Sequence, residues 1–110
     1  MTVKELAGRL DLKLLAGESG LGREIQGCYI GDLLSWVMAR ADAGDVWITV
    51  MGNVNAIAVA TLTDCACIVL TESAELDADA KARADQQGMP VLSTEKDSFD
   101  TAVKTAGLLP

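Results

Sequence analysis

Across residues 44–70 the sequence reads as two apolar strand runs, Val46-Trp47-Ile48-Thr49-Val50 and Ile68-Val69-Leu70, joined by a segment that is apolar nearly all round: Val54, Ala56, Ile57, Ala58, Val59, Ala60 and Leu62. Strands without polar alternation are covered on both faces, as in parallel sheets. The joining segment fits a helix over residues 53–63, and so wide an apolar surface makes it the most enclosed helix of the chain. Its alanines allow close approach to a sheet. The short loop between strand and helix, Met51-Gly52-Asn53, aims backbone N–H groups and the positive end of a helix dipole at one spot. No catalytic side chain accompanies them.

The rest of the chain repeats this alternation. Thr2 and Glu5 form a capping-box pair ahead of Val3, Leu6, Ala7 and Leu10, giving a helix over residues 3–10. Residues 12–16 are a strand candidate, 17–22 a glycine-rich turn, and 25–30 a second extended piece stopped by Gly31. Asp32 caps a helix over 32–41, where Leu33, Leu34, Trp36, Val37 and Met38 span an arc of roughly 200°, wider than one core face uses. A strand over 67–70 follows the enclosed helix. Asp77 opens a solvated helix carrying Asp77/Lys81 and Asp79/Arg83 in the favourable i,i+4 order, ended by Gly88 and Pro90. Val91-Leu92 is a short strand. Ser93 and Thr94 cap a last helix with Asp97 at the capping-box position, Phe99, Ala102, Val103 and Ala106 on its inner face, and Gly107 at its close. Alternation from end to end, without a linker or repeat, describes one domain over residues 1–110. Its class is α/β, three layers, with a mostly parallel sheet and helices on both faces.

Composition narrows the function. The chain is 50% hydrophobic but 4% aromatic, so its core is built from Leu, Val, Ile and Ala. A net charge of -7, with nine basic residues scattered along the chain, excludes nucleic acid and anionic membrane as partners. No apolar run reaches the roughly 18 residues of a membrane span and no leader pattern follows Met1, which places the chain in the cytoplasm. Histidine is absent, removing the commonest general base and metal ligand. The 17–22 turn lacks the Gly-Lys-Ser/Thr ending of a phosphate loop. Cys65 and Cys67 fall on one face of a strand and Cys28 on another strand; all three read as small core hydrophobes, without disulfide, metal or cofactor. Asp45 and Asp64 read as solvated loop carboxylates, and Arg23 and Arg40 as surface cations.

In open α/β sheets ligands sit outside the carboxyl ends of the strands. Those ends are Gly31-Asp32, Val50 to Asn53, Thr71-Glu72-Ser73 and Ser93-Thr94. The ligand candidates among them and beside them are Thr49, Met51, Gly52, Asn53, Thr71 and Thr94, with N–H groups of the 51–53 loop holding a small anion or nucleotide and threonine hydroxyls assisting. Trp36, Val37 and Met38 are the candidates for a homodimer contact, since aromatic and methionine side chains are enriched in interfaces.

Residues 15–27 (Leu-Ala-Gly-Glu-Ser-Gly-Leu-Gly-Arg-Glu-Ile-Gln-Gly), 44–49 (Gly-Asp-Val-Trp-Ile-Thr) and 88–99 (Gly-Met-Pro-Val-Leu-Ser-Thr-Glu-Lys-Asp-Ser-Phe) resemble the opening segment, central strand and closing strand and helix of the DRTGG domain family. The likeness spans essentially the whole chain. It implies a dimerising α/β regulatory domain, found beside CBS domains in some pyrophosphatases and ahead of the catalytic part of phosphotransacetylases. The implied fold is similar to the amino-terminal domain of HPr kinase, and the resemblance implies no chemistry within the domain itself. The family's Thr-Gly-Gly-Asp-Arg signature falls on Thr49-Val50-Met51-Gly52-Asn53, which keeps the threonine and replaces the rest. The expected function is a non-catalytic regulatory or scaffold domain that dimerises and senses a small anion or nucleotide. The alternative is a ligand-free companion subunit of a larger redox enzyme such as a hydrogenase. An iron-sulfur or thiol-redox role rests on the cysteines alone.

Overall fold

In the computed structural model, which describes residues 1–110, the apolar runs of the 44–70 segment form β3 (Asp45–Thr49), α3 (Val54–Leu62) and β4 (Cys67–Leu70). β3 and β4 pair in parallel, Val46 opposite Cys67 and Thr49 opposite Leu70, and every residue of both strands is buried. β2 (Gly27–Ile30) lies parallel to β3 on one side, and β5 (Val91–Ser93) parallel to β4 on the other. β1 (Lys13–Ala16) closes the far edge antiparallel to β5, giving the order β1-β5-β4-β3-β2. Such an edge is where exposed Lys13 and Leu14 are tolerated.

The helices divide between the two faces. α2 (Leu34–Arg40), α3 and α4 (Ala78–Gln87) cover one face, over a core that includes Val37, Trp47, Ile57, Ile68 and Leu70. α1 (Val3–Leu10) and α5 (Ser98–Ala106) cover the other, over Val3, Leu6, Ile25, Ile48 and Val69. The three-layer α/β architecture is the one the alternation predicts.

Local details depart from the sequence reading where tertiary partners compete for a side chain. Asp32 does not cap α2, which starts beyond an extended Leu33 and has no side-chain cap; its carboxylate turns to the end of β3 instead. α3 is not enclosed all round: Ala56, Ile57, Val59 and Ala60 are buried, whereas Leu62 is 73% exposed. Only the sheet and its flanking helices cover α3, so its outer face meets solvent. On α4 the ion pair formed is Lys81–Asp85 at 2.8 Å, because Asp85 is fixed by the Gly17 N–H, also at 2.8 Å. Asp77 stands at the N-cap position without a side-chain bond.

α5 begins later than predicted. Asp97 is itself the N-cap, accepting from Asp100 N, and the inner face consists of buried Thr101 and Thr105 with Ala102 packed against the core as expected, while Phe99 is 78% and Val103 55% exposed. Each buried threonine donates its hydroxyl to the carbonyl four residues earlier, at 2.8 Å, so it enters the core without an unpaired polar group. Asp45, read as a loop carboxylate, is buried at the start of β3 and accepts from Asp42 N at 2.8 Å. Cys65 and Cys67 do not share a face: Cys65 precedes β4, where the two-residue alternation does not yet hold, and packs with the α2–α4 side, while Cys67 packs with the α1/α5 side. The 17–22 segment is a turn packed on residues 88–90. Gly17, at φ +74, has no room for a Cβ beside the Met89 carbonyl.

Candidate functional site at the strand ends

Because β5, β4, β3 and β2 are adjacent and parallel, their carboxyl ends bring Thr94, Thr71, Thr49 and Asp32 to one edge of the sheet. At the end of β3, Thr49 donates its hydroxyl to Asp32 Oδ1 at 2.7 Å and accepts the Met51 N–H at 3.2 Å. Val50 N donates to the same Asp32 oxygen at 3.1 Å. The Met51 N–H, expected to face a ligand, is thus engaged within the chain. Asn53 is the N-cap of α3, its Oδ1 accepting from Ala56 N at 2.9 Å. The N–H groups of Gly52, Asn53, Val54 and Asn55 make no hydrogen bond within the chain, as expected of the first turn of a helix. Gly52 is required by packing, since a Cβ there would collide with the Glu75 carbonyl, and its own carbonyl accepts from Asp77 N at 2.8 Å.

The ends of β4 and β5 have a different character. β4 leads to α4 on one face and β5 to α5 on the other, so their loops part at a topological switch point, the usual place for a crevice in such sheets. Here the loops are laced together. Glu72 N donates to Lys96 O at 2.8 Å and Ser73 N to Thr94 O at 3.0 Å, with Glu72 and Ser73 both held in the left-handed region at φ 56. Thr71 is wholly buried and its hydroxyl shares a 2.7 Å hydrogen bond with Ser98. Thr94 accepts the Lys96 N–H at 3.2 Å.

No group of three His, Cys, Asp or Glu side chains is arranged to hold a metal ion. Burial pushes all three thiols up: Cys67 most, Cys65 also, and Cys28 to about 11 with help from the Asp45 charge. They are neutral at physiological pH and poor nucleophiles. Burial also raises the Asp45 carboxyl.

Of the residues assigned to a dimer contact, Val37 lies wholly inside the monomer and contributes no surface. Trp36 and Met38 are 53% and 42% exposed, with the Arg40 guanidinium 4.0 Å above the Trp36 ring. Leu33 is exposed on the same helix entry, and Ile30 and Val50, at the ends of neighbouring β2 and β3, are exposed as well. One feature escaped the sequence reading: Lys13, Lys96 and Lys104, which look scattered in sequence, converge beside β5 because Lys13 pairs across from Ser93. Strand order alone could have revealed that.

The sequence profile of the DRTGG domain matches residues 5–107. No curated protein matches the sequence. Among solved structures, the chain superposes with a TM-score of 0.73 on the CBS and DRTGG domains of the regulatory region of Clostridium perfringens pyrophosphatase, complexed with its activator diadenosine tetraphosphate. The two are 14% identical, over 99% of this chain and 47% of the other, so the chain spans about half the length of that region. At that identity the likeness is one of fold. The profile match, which covers nearly the whole chain, carries the assignment: this chain belongs to the DRTGG domain family.

Proposed function

We propose that the chain is a regulatory domain without chemistry of its own, which pairs with a second copy and senses a small anion or nucleotide at the strand ends. The observation that carries this reading is the start of α3, where four successive N–H groups, from Gly52 to Asn55, have no partner in the chain and lie at the positive end of the helix. The hydroxyls of Thr49, Thr71 and Thr94 lie along the same edge. A nucleotide activator in the pyrophosphatase regulatory region supports the ligand class. Asn53 stands where the family signature has arginine, so no charge-assisted fork grips a phosphate and binding is weak. Exposed Leu33, Trp36 and Met38 supply the apolar surface for pairing. Thermal melting with millimolar diadenosine tetraphosphate or ATP, against sodium chloride of equal ionic strength, tests the sensing. A small rise specific to nucleotide is expected, and no rise with any of them would discard it.

One observation favours a second reading, a ligand-free companion subunit of a larger enzyme. Asp32 already places a carboxylate on the Thr49 hydroxyl and the Val50 N–H, where an anion would otherwise sit. In that case a larger partner co-purifies with the chain and nucleotides leave its melting temperature unchanged.

A further inference from the structure

Of the two strands that border the sheet, only one is guarded. β1 presents exposed Lys13 at its edge and shifts register between Leu14 and Ala16, two devices that keep another chain from pairing there. β2 has neither. Its residues Gly27-Cys28-Tyr29-Ile30 include no charge and no proline, they follow β3 in unbroken register, and their outer side pairs with no strand. Gly31 N donates to Ile48 O, so alternation along the strand turns the N–H and C=O groups of Ile30 and Cys28 outward. The next acid along the chain, Asp32, is turned to Thr49.

Apolar side chains flank this edge on both faces of the sheet. α2 lies over the β2 end of its layer, with α3 between it and α4, and exposes Trp36 and Met38, with Leu33 at its entry. On the other face α5 packs against β2 and β3. Its Asp100 and Lys104 stand beside Lys13 and Ser93 on the β1–β5 side, so exposed Phe99, on the opposite flank of the helix, lies toward β2. Ile30 is exposed too, and alternation places it on the same face as Cys28, the α5 side. Together these side chains expose on the order of 600 Å² per copy, so two copies would bury roughly 1,200 Å², the lower bound for a specific, stable interface.

We infer that β2 pairs antiparallel with β2 of a second copy, joining two five-stranded sheets into one. This joint rests on the pairing proposed above and deepens it: α2 becomes one flank of the contact rather than its centre. A twofold axis beside Tyr29 sets Cys28 of each copy opposite Ile30 of the other, and their outward N–H and C=O groups bond in both directions. Only an extended strand satisfies such an edge, and β2 itself offers one without charge. That matters for a chain of net charge -7, whose copies repel elsewhere. The same axis sets α2 near α2 and α5 near α5, so apolar surface meets apolar surface on both faces.

The test is NMR on an equal mixture of isotope-labelled and unlabelled intact chain. An intermolecular Hα–Hα contact between Tyr29 of one copy and Tyr29 of the other is expected, with amide exchange at Cys28 and Ile30 at least about tenfold slower than in a monomeric variant. Ile30→Lys guards the edge with a charge and should give that monomer by light scattering. Phe99→Lys should raise the dissociation constant at least about tenfold. Both side chains are exposed in the single copy, so neither variant should unfold it. Should Ile30→Lys fail to fold even so, the Tyr29 contact in the parent decides alone. A dimer whose intermolecular contacts are confined to α2, or one that Ile30→Lys leaves intact, overturns the joined sheet and leaves the pairing standing. A monomeric parent overturns both.

Discussion

Thr49 and Asp32 fasten the ends of β3 and β2 through a single carboxylate oxygen that takes both the threonine hydroxyl and the Val50 N–H. Thr49 is 1% exposed, so Thr49→Val keeps the shape and removes the hydroxyl from two hydrogen bonds. A loss of about 1–2 kcal/mol in urea unfolding is expected. Asp32→Ala should lose a similar amount, and the double variant much less than the sum, because both act on one network. The thiols give a pH signature. Cys28 is raised from 9.0 to about 11, so the folded state holds that proton more tightly than the unfolded chain does. The stability this contributes is complete below pH 9 and is lost as pH rises toward about 11. Chemical unfolding across that window should therefore show falling stability in the parent and a shallower fall in Cys28→Ala. Thiol titration should find three free groups in denaturant and slow reaction in the native protein.

At the scale of elements, α5 is the helix whose buried side is least evident from hydropathy. Its apolar residues Phe99 and Val103 face solvent while Thr101 and Thr105 face the sheet. Phe99→Lys and Val103→Lys should each shift unfolding free energy by less than about 0.5 kcal/mol. Thr105→Lys, by contrast, places a charge in the core and should abolish cooperative unfolding by circular dichroism. Helix α3 shows the complementary case, an apolar surface wider than its neighbours cover, leaving Leu62 outside.

For the whole molecule, pairing through α2 gives the clearest test of quaternary structure. Light scattering at micromolar concentration should report a dimer, and Trp36→Glu or Met38→Lys should yield a monomer with little change in melting temperature, since both side chains are exposed. Val37→Glu should unfold the chain instead, because Val37 is buried in the monomer core. A monomeric parent would remove α2 as a contact and with it the pairing half of the proposed function.

By itself the sequence determined the layers. Continuous apolar strands at 46–50 and 68–70 require cover on both faces, helices recur at 3.6-residue spacing between strands, and Thr2, Asn53, Gly88 and Gly107 mark helix ends by local chemistry. These are properties of neighbours along the chain. The tertiary structure alone decided the strand order β1-β5-β4-β3-β2, the antiparallel edge, and the side of the sheet that each helix covers. It also decided where polar groups go: Asp32 leaves its helix for Thr49, and the α5 threonines turn inward by bonding their own backbone. The approach of Asp11 and Lys13 to Glu95 and Lys96 is of the same kind. Each depends on a partner far away in sequence, and no local propensity encodes which of several acceptors a buried side chain will meet.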